Sequence, residues 1–307
     1  MISILLARKI AQLFLILALG LVAARAGIVK TEDTTILSKI CLYIISPCVI
    51  LNCFQVEFTQ DIQQGLMLSF GAALIFILIL VSLGEIFKKI FRLNIVEQAC
   101  ATYSNSSNLI IPIVASVLGE EWLIYVMAFT AVQFFFFWSH CISLFSSEGK
   151  IHLKEIFTNA NIIAIFAGLL MMVTGIHFPA FIQEPMASLG NMIGPISMLI
   201  TGILMSKVSL KQLFCNRRIY LILLLRMFAG PAIILILIKF TGAASLAPDG
   251  EQILLISMLA AAAPVANMIS MFAQLYGKDA EYASTITTLT TLSCVVTMPL
   301  FVFLYGM

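Results

Sequence analysis

The sequence predicts an all-α polytopic membrane protein of about ten transmembrane helices, arranged as a 5+5 inverted repeat in which helices 4 and 9 are broken. Three observations predict this. The 307 residues are 61% hydrophobic and 10% charged, with mean hydropathy +1.08, against roughly 25% charged in a soluble domain. Apolar runs of about 20 residues, enough to span hydrocarbon, recur with short polar links. Two of those runs carry a proline and a polar group at the same depth.

The ten runs fall at about 10–29, 36–56, 65–84, 95–119, 122–145, 158–178, 185–206, 217–240, 252–276 and 280–304. Run 1 follows Arg8 and Lys9 and ends in "VAARAG"; it is too long for a signal h-region and reads as a retained helix. Run 2, "LSKICLYIISPCVIL", is kinked at Pro47, and run 7, "LGNMIGPISMLITGILM", at Pro195. Run 5 holds Gln133 and His140 around "FFFFW", where helix packing is the simple reading and pH sensing by His140 the alternative. Run 8 carries Arg226 well inside its apolar stretch, and an intramembrane charge is a functional candidate with a structural or electrostatic alternative. Glu97, near the start of run 4, reads as an interface residue, with a proton-coupling carboxylate as the alternative. The seven cysteines show no C-x-x-C and no nearby histidine ligand, so buried free thiols are expected and no metal site.

Basic residues set the orientation. The links after runs 1, 3, 5, 7 and 9 carry Arg25, Lys30, Lys39, Lys88, Lys89, Arg92, Lys150, Lys154, Lys207, Lys211, Arg217, Arg218 and Lys278. The opposite side has Arg8, Lys9 and Lys239, and its links carry Glu57, Asp61, Glu120, Glu121, Glu184, Asp249 and Glu251. The positive-inside tendency then places both termini outside a cell (plasma or inner) membrane. Run 4 ends "VLGEEW" around Gly119 and run 9 ends "LYGKDA" around Gly277, each leading straight into the next run. Halves 1–148 and 157–307, five runs each, must have opposite orientation because five is odd.

Run 4 contains "SNSSNLIIP": Ser104, Asn105, Ser106, Ser107, Asn108 and then Pro112. Asn105 lies roughly 15 Å above Ile95, about half the hydrocarbon thickness. Run 9 contains "PVANMIS", with Pro264, Asn267 and Ser270. A proline inside a helix frees backbone groups that lipid cannot satisfy, so such a break belongs where protein or water covers it. Each break also creates a helix N-terminus, and two such positive ends converging at mid-depth suit an anion without a buried lysine. Asparagine can hold a carboxylate while capping the half-helix.

On "FLILALGLVAARAGIV", "LSKICLYIISPCVIL", "SNSSNLIIPIVASVLG", "GPISMLITGILM", "PVANMISMFAQLYG" and "TLTTLSCVVTMPL" the chain resembles the auxin efflux carrier family, which includes plant auxin exporters and bacterial permeases proposed for malate, malonate and similar acids. Asn105, Pro112 and Gly119 match the family spacing in run 4; Ser107, Asn108 and Ile110 stand where members often carry glycine. The resemblance implies runs 4 and 9 crossing in an X, a scaffold of helices 1, 2, 6 and 7, a transport domain of helices 3–5 and 8–10, and scaffold-mediated homodimers. It implies a secondary transporter of a small organic anion, a mono- or dicarboxylate, moving by alternating access. Asn105 and Asn267 would contact the carboxylate, Pro112 and Pro264 would keep the half-helix ends open, and the neighbouring serines would complete the pocket. A membrane receptor or sensor binding a small anion without transport is the alternative. No nucleophile, base and orienting acid share one depth, and no nucleotide loop is present, so neither an enzyme nor an ATP-driven pump is expected. No cofactor is expected, and the scattered basic residues give no nucleic-acid surface.

Overall fold

A computed structural model of the 307-residue chain describes residues 2–146, 158–208 and 216–307. Lys150, His152, Lys154, Lys211 and Cys215 lie outside the described residues. The helical segments are α1 (Ile2–Arg25), α2 (Thr31–Cys53), α3 (Gln60–Phe91), α4 (Ile95–Thr102), α5 (Ile110–Val117), α6 (Glu120–Phe145), α7 (Ala160–Thr174), α8 (Ala180–Met205), α9 (Arg217–Thr241), α10 (Gly250–Ala262), α11 (Met268–Leu275) and α12 (Ala280–Tyr305).

Each expected run is covered by a helix, and the two runs expected to break do so. Run 4 is the pair α4 and α5, and run 9 is the pair α10 and α11. Among the described residues six helices, α2, α3, α6, α8, α9 and α12, are long and apolar enough to cross a membrane, and α7 and α10 are shorter apolar helices. Their outer faces expose Ile75, Leu78, Phe166, Leu170, Ile236, Phe240, Val296 and Phe303, an apolar coat suited to lipid.

The kinks have local causes. Pro47 cannot donate to the carbonyl four residues back, and a π-turn over Cys41–Ile45 absorbs the mismatch in α2. A second π-turn over Leu225–Ala229 precedes Pro231 in α9 and carries Arg226. The bend of α8 falls at Asn191 and Met192, just ahead of Pro195.

Two sets of helix contacts stand out, and α1, which packs on α12 as well as on α8, joins them. In one, α1 lies along the 193–205 part of α8, and α2 packs on α7 and on the first part of α8. The α1–α8 approach needs glycine, since a Cβ on Gly202 would collide with the Leu17 carbonyl and one on Gly20 with the Leu199 carbonyl. In the other group, α3 packs on α4, α6, α9 and α10, and α12 on α9, α10 and α11.

Polar contacts identify two ends. At the basic end Lys207 Nζ donates to Glu32 Oε1 at 2.9 Å and Arg218 Nη2 to the Arg92 carbonyl at 3.1 Å. At the acidic end the Phe178 N–H donates to Gln55 Oε1 at 2.7 Å and Tyr305 Oη to the Glu251 carbonyl at 2.7 Å.

Glu97, 1% exposed, ties three helix starts together at the basic end. Its carboxylate accepts from Arg218 Nε (2.7 Å) and Nη2 (2.6 Å), from Tyr282 Oη (2.8 Å) and from the Asn94 N–H of its own capping box (2.9 Å). These donors join α4, α9 and α12, which makes Glu97 a tether. Arg218→Ala leaves that buried carboxylate short of its cation at a cost of about 3 kcal/mol, the low end for a broken buried pair because Arg218 is itself part-exposed. Thermal unfolding of the purified variants should show the loss, with Glu97→Gln/Arg218→Ala less destabilised than the sum of the two single changes.

Candidate functional site

Where the two broken runs meet, each supplies the other's missing backbone partners. α4 ends at Thr102, Tyr103 turns extended (φ −100°, ψ 130°), and Ser104 pairs in antiparallel fashion with Val265 in the gap between α10 and α11. The Asn105 N–H donates to the Pro264 carbonyl at 2.7 Å and the Ala266 N–H to the Tyr103 carbonyl at 3.2 Å. Pro264 costs no donor here, because its carbonyl does the pairing. The Val265 N–H reaches Thr290 Oγ1 of α12 at 3.3 Å. Gln133 of α6 holds Ser104 twice: its Nε2 donates to the Ser104 carbonyl at 2.7 Å, and its Oε1 accepts from the Ser104 hydroxyl.

Arg226 closes the other half of the account. It is fully buried, and its guanidinium donates only to carbonyls at the C-terminal ends of the two leading half-helices. Nη2 reaches Ala261 (2.6 Å) and Ala263 (2.9 Å), Nε reaches Ala263 (3.2 Å) and Nη1 reaches Thr102 (3.3 Å). Two helix C-termini of about −0.5 elementary charge each present about −1 to this single cation. Arg226 therefore has its counter-charge without a carboxylate, and four of its five N–H donors are taken up by these carbonyls.

The opposite ends stay open. α5 begins at Ile110 with Leu109 as its N-cap and no side-chain capping bond. Just before it, Ser106 is 1% exposed and its hydroxyl has no partner. Asn105 is 5% exposed, and Ser107 and Asn108 are half-buried in the same turn. At α11, Asn267 Nδ2 lies 3.3 Å from Thr201 Oγ1 of α8, so this side chain bridges the two helix groups, and Ser270 follows one turn later, half-buried. At the starts of α5 and α11 the Ile111 N–H donates to the Ser107 carbonyl at 3.3 Å and the Ile269 N–H to the Ala266 carbonyl at 3.1 Å, and α5 has no side-chain cap.

One sequence expectation shifts, and the two glycines stand where expected. Pro112 lies outside the break: it is the third residue of α5, where the missing N–H has no intrahelical acceptor to lose, and its ring packs within 2.7 Å of where a Cβ on Gly194 would stand. Gly119 (φ +120°) and Gly277 (φ +63°) are the turns that end the two broken runs.

A cavity of about 530 Å³ opens toward Glu120 and Glu121, between α2 and α8 on one wall and α5 on the other. Ile111 and Pro112 line it, and its polar lining is Asn52, Gln55, Ser116, Gln183 and Asn191 with the carboxylates Glu120 and Glu121, without a lysine or arginine. Ser104 to Asn108 do not line it. Elsewhere between the groups, Phe134 and Trp138 of α6 pack with Ile162 of α7 and Met268 of α11. The sequence marked Gln133 for helix packing without naming Ser104 as its partner, and it missed the lining amides of α2 and α8, because single amides in apolar runs carry no spacing signal.

Replacing Arg226 with leucine strands the Thr102, Ala261 and Ala263 carbonyls in a dry interior, a cost above about 3 kcal/mol. Size-exclusion profiles of detergent extracts should lose the monodisperse peak for Arg226→Leu and keep part of it for Arg226→Lys, which retains the charge.

Among known proteins, the family profile described as "Membrane transport protein" matches this chain over residues 5–158 and 147–302. No curated protein matches it.

Proposed function

The chain belongs to the membrane transport protein family, which is auxin efflux carrier-like, and from that premise we propose that it is a secondary transporter of a small organic anion, a mono- or dicarboxylate. The observation that carries the reading is the asymmetry at the crossing. The two negative half-helix ends are neutralised by Arg226, while the positive ends of α5 and α11 remain, with the unpartnered Ser106 hydroxyl beside one of them. A carboxylate is the group such ends attract, and Asn105, Asn108, Asn267 and the serines 104, 106, 107 and 270 would surround it.

Alternating access fits the same geometry. Taking α4 with α5 and α10 with α11 as single spans gives ten crossings, five in each half, and the reciprocal pairing of Asn105 with Pro264 and Ala266 with Tyr103 supports a twofold relation between the halves. Helices 1, 2, 6 and 7 would be the scaffold and the remainder the moving domain. The cavity over Pro112 would be the outward vestibule, and the Phe134, Trp138, Ile162 and Met268 cluster the closed inner path. The basic end would face the cytoplasm across a cell membrane, with both termini outside and the scaffold available for a homodimer. The family is one of transporters, not enzymes.

Counterflow of radiolabelled malate, malonate, succinate and indole-3-acetate in proteoliposomes tests the proposal. At least one should exchange, and Asn105→Ala should slow it about tenfold or more, the worth of a hydrogen bond to a charged group. Wild-type rates in Asn105→Ala would remove that side chain from the site, and saturable binding without counterflow would make the protein a receptor.

A further inference from the structure

A second cluster of side chains, outside the proposed anion site, runs from the basic end to the crossing. Glu85 of α3 lies with its Oε1 3.8 Å from His140 Nε2 of α6, and His140 Nδ1 lies 2.8 Å from the Tyr103 hydroxyl. Tyr103 is the residue whose carbonyl accepts from Ala266 in the paired breaks. The chain begins in contact with solvent, because the Glu85 and His140 side chains are 42% and 25% exposed, and ends at Tyr103, which is 1% exposed.

Tyr103 has one hydroxyl hydrogen and two acceptors for it: His140 Nδ1 at 2.8 Å and the Phe136 carbonyl at 3.1 Å. The Phe136 carbonyl immediately precedes the π-turn Phe137–Cys141, where α6 departs from its regular bonding ladder, and such turns concentrate at functional positions. When the imidazole is neutral, Nε2–H points toward the Glu85 carboxylate and the Nδ1 lone pair accepts from Tyr103. The other neutral tautomer would set a lone pair against that carboxylate. When one proton is added at Nδ1, the imidazolium donates to the Tyr103 oxygen, and the Tyr103 hydrogen must swing to Phe136. A single proton from water is bound, no covalent bond other than the new N–H forms, and Glu85 is the counter-ion.

We propose that His140 is the proton-binding site of this transporter, with Glu85 as its counter-ion and the Tyr103 hydroxyl as the group that reports protonation to the crossing. The remaining neighbours act in both directions, Glu85 favouring the imidazolium and Lys88 opposing it. Glu85 also accepts from Gln98 Nε2 of α4 at 2.5 Å and lies 3.9 Å from Lys88 Nζ, and among the described residues Glu85 and Lys88 are the charged groups that act on the imidazole. The Tyr103 ring is wedged edge-on against Phe137, centroids 5.1 Å apart, so its hydroxyl can turn while its ring stays. Only the link to substrate movement rests on the transport reading; the proton site stands on this geometry.

The test has two arms. The full chain with ¹⁵N-labelled histidine in lipid nanodiscs is titrated, and His140→Gln identifies the resonance among the three histidines. A ring that titrates between about pH 5 and 8, starts as the Nε2–H tautomer, loses that preference in Tyr103→Phe and titrates at lower pH in Glu85→Gln supports the proposal. A ring that remains neutral down to pH 5, or that ignores Tyr103→Phe, overturns it. In the second arm, with each rate normalised to that protein's own counterflow, an inward gradient of one pH unit should speed net uptake of the exchanging carboxylate severalfold in wild type and leave His140→Gln unaccelerated. Equal acceleration of both overturns the coupling. If none of the four carboxylates exchanges, the carrier reading fails, and the titration alone still decides for or against the proton site.

Discussion

A helix cannot be cut inside hydrocarbon unless something replaces the hydrogen bonds that the cut removes. That constraint organises this molecule. The cut between α4 and α5 and the cut between α10 and α11 lie against each other, and the Asn105 and Ala266 N–H groups are satisfied by carbonyls of the opposite strand. The carbonyls left over at Thr102, Ala261 and Ala263 converge on Arg226. Either break alone would be an unpaired defect; together they form a structured polar centre in an apolar bundle. The charge asymmetry follows from the same arrangement, because the cation is spent on the negative ends and the positive ends are left for something else.

The surrounding structure holds this centre in place from several directions. Gln133 fixes Ser104 from α6, Thr290 fixes Val265 from α12, and the Glu97 tether gathers the starts of α4, α9 and α12 at the basic end. The contact of Asn267 with Thr201 crosses from this group to α8, which belongs to the other. With the cavity open over Pro112 and aromatic packing between α6, α7 and α11, the two groups meet differently along their shared boundary.

Much of this was legible in the sequence, for identifiable reasons. Hydrophobic run length placed most helix ends within about five residues, because lipid thickness imposes a length that a soluble core does not, but it started run 1 at 10 where α1 begins at Ile2 and ended run 3 at 84 where α3 continues to Phe91. The breaks were legible because serine, asparagine and proline clustered at equal depth in two runs have few other uses there. What stayed hidden depends on backbone atoms or on single side chains. Arg226 was conspicuous as a lone charge, yet its partners are the carbonyls of Ala261, Ala263 and Thr102, which no pattern of side chains announces. Pro112 was read as part of the break, although proline is equally at home in the first turn of a helix, and that is where it stands. Glu97 was legible as an interface residue, but its cation, Arg218, is 121 positions away in sequence.

The two breaks pair with each other, and a disulfide between them is the sharpest check on that pairing. Ser104 and Val265 face each other across the bridge, at a separation of about 5 Å between Cα atoms that a disulfide can span. In a variant lacking the seven native cysteines, Ser104→Cys/Val265→Cys should cross-link under a membrane-permeant oxidant and yield a linked peptide by mass spectrometry, whereas Asn108→Cys/Val265→Cys should not. Cysteines at 104 and 265 that stay unlinked, while both remain reactive to a small maleimide in the unfolded chain, would contradict the account.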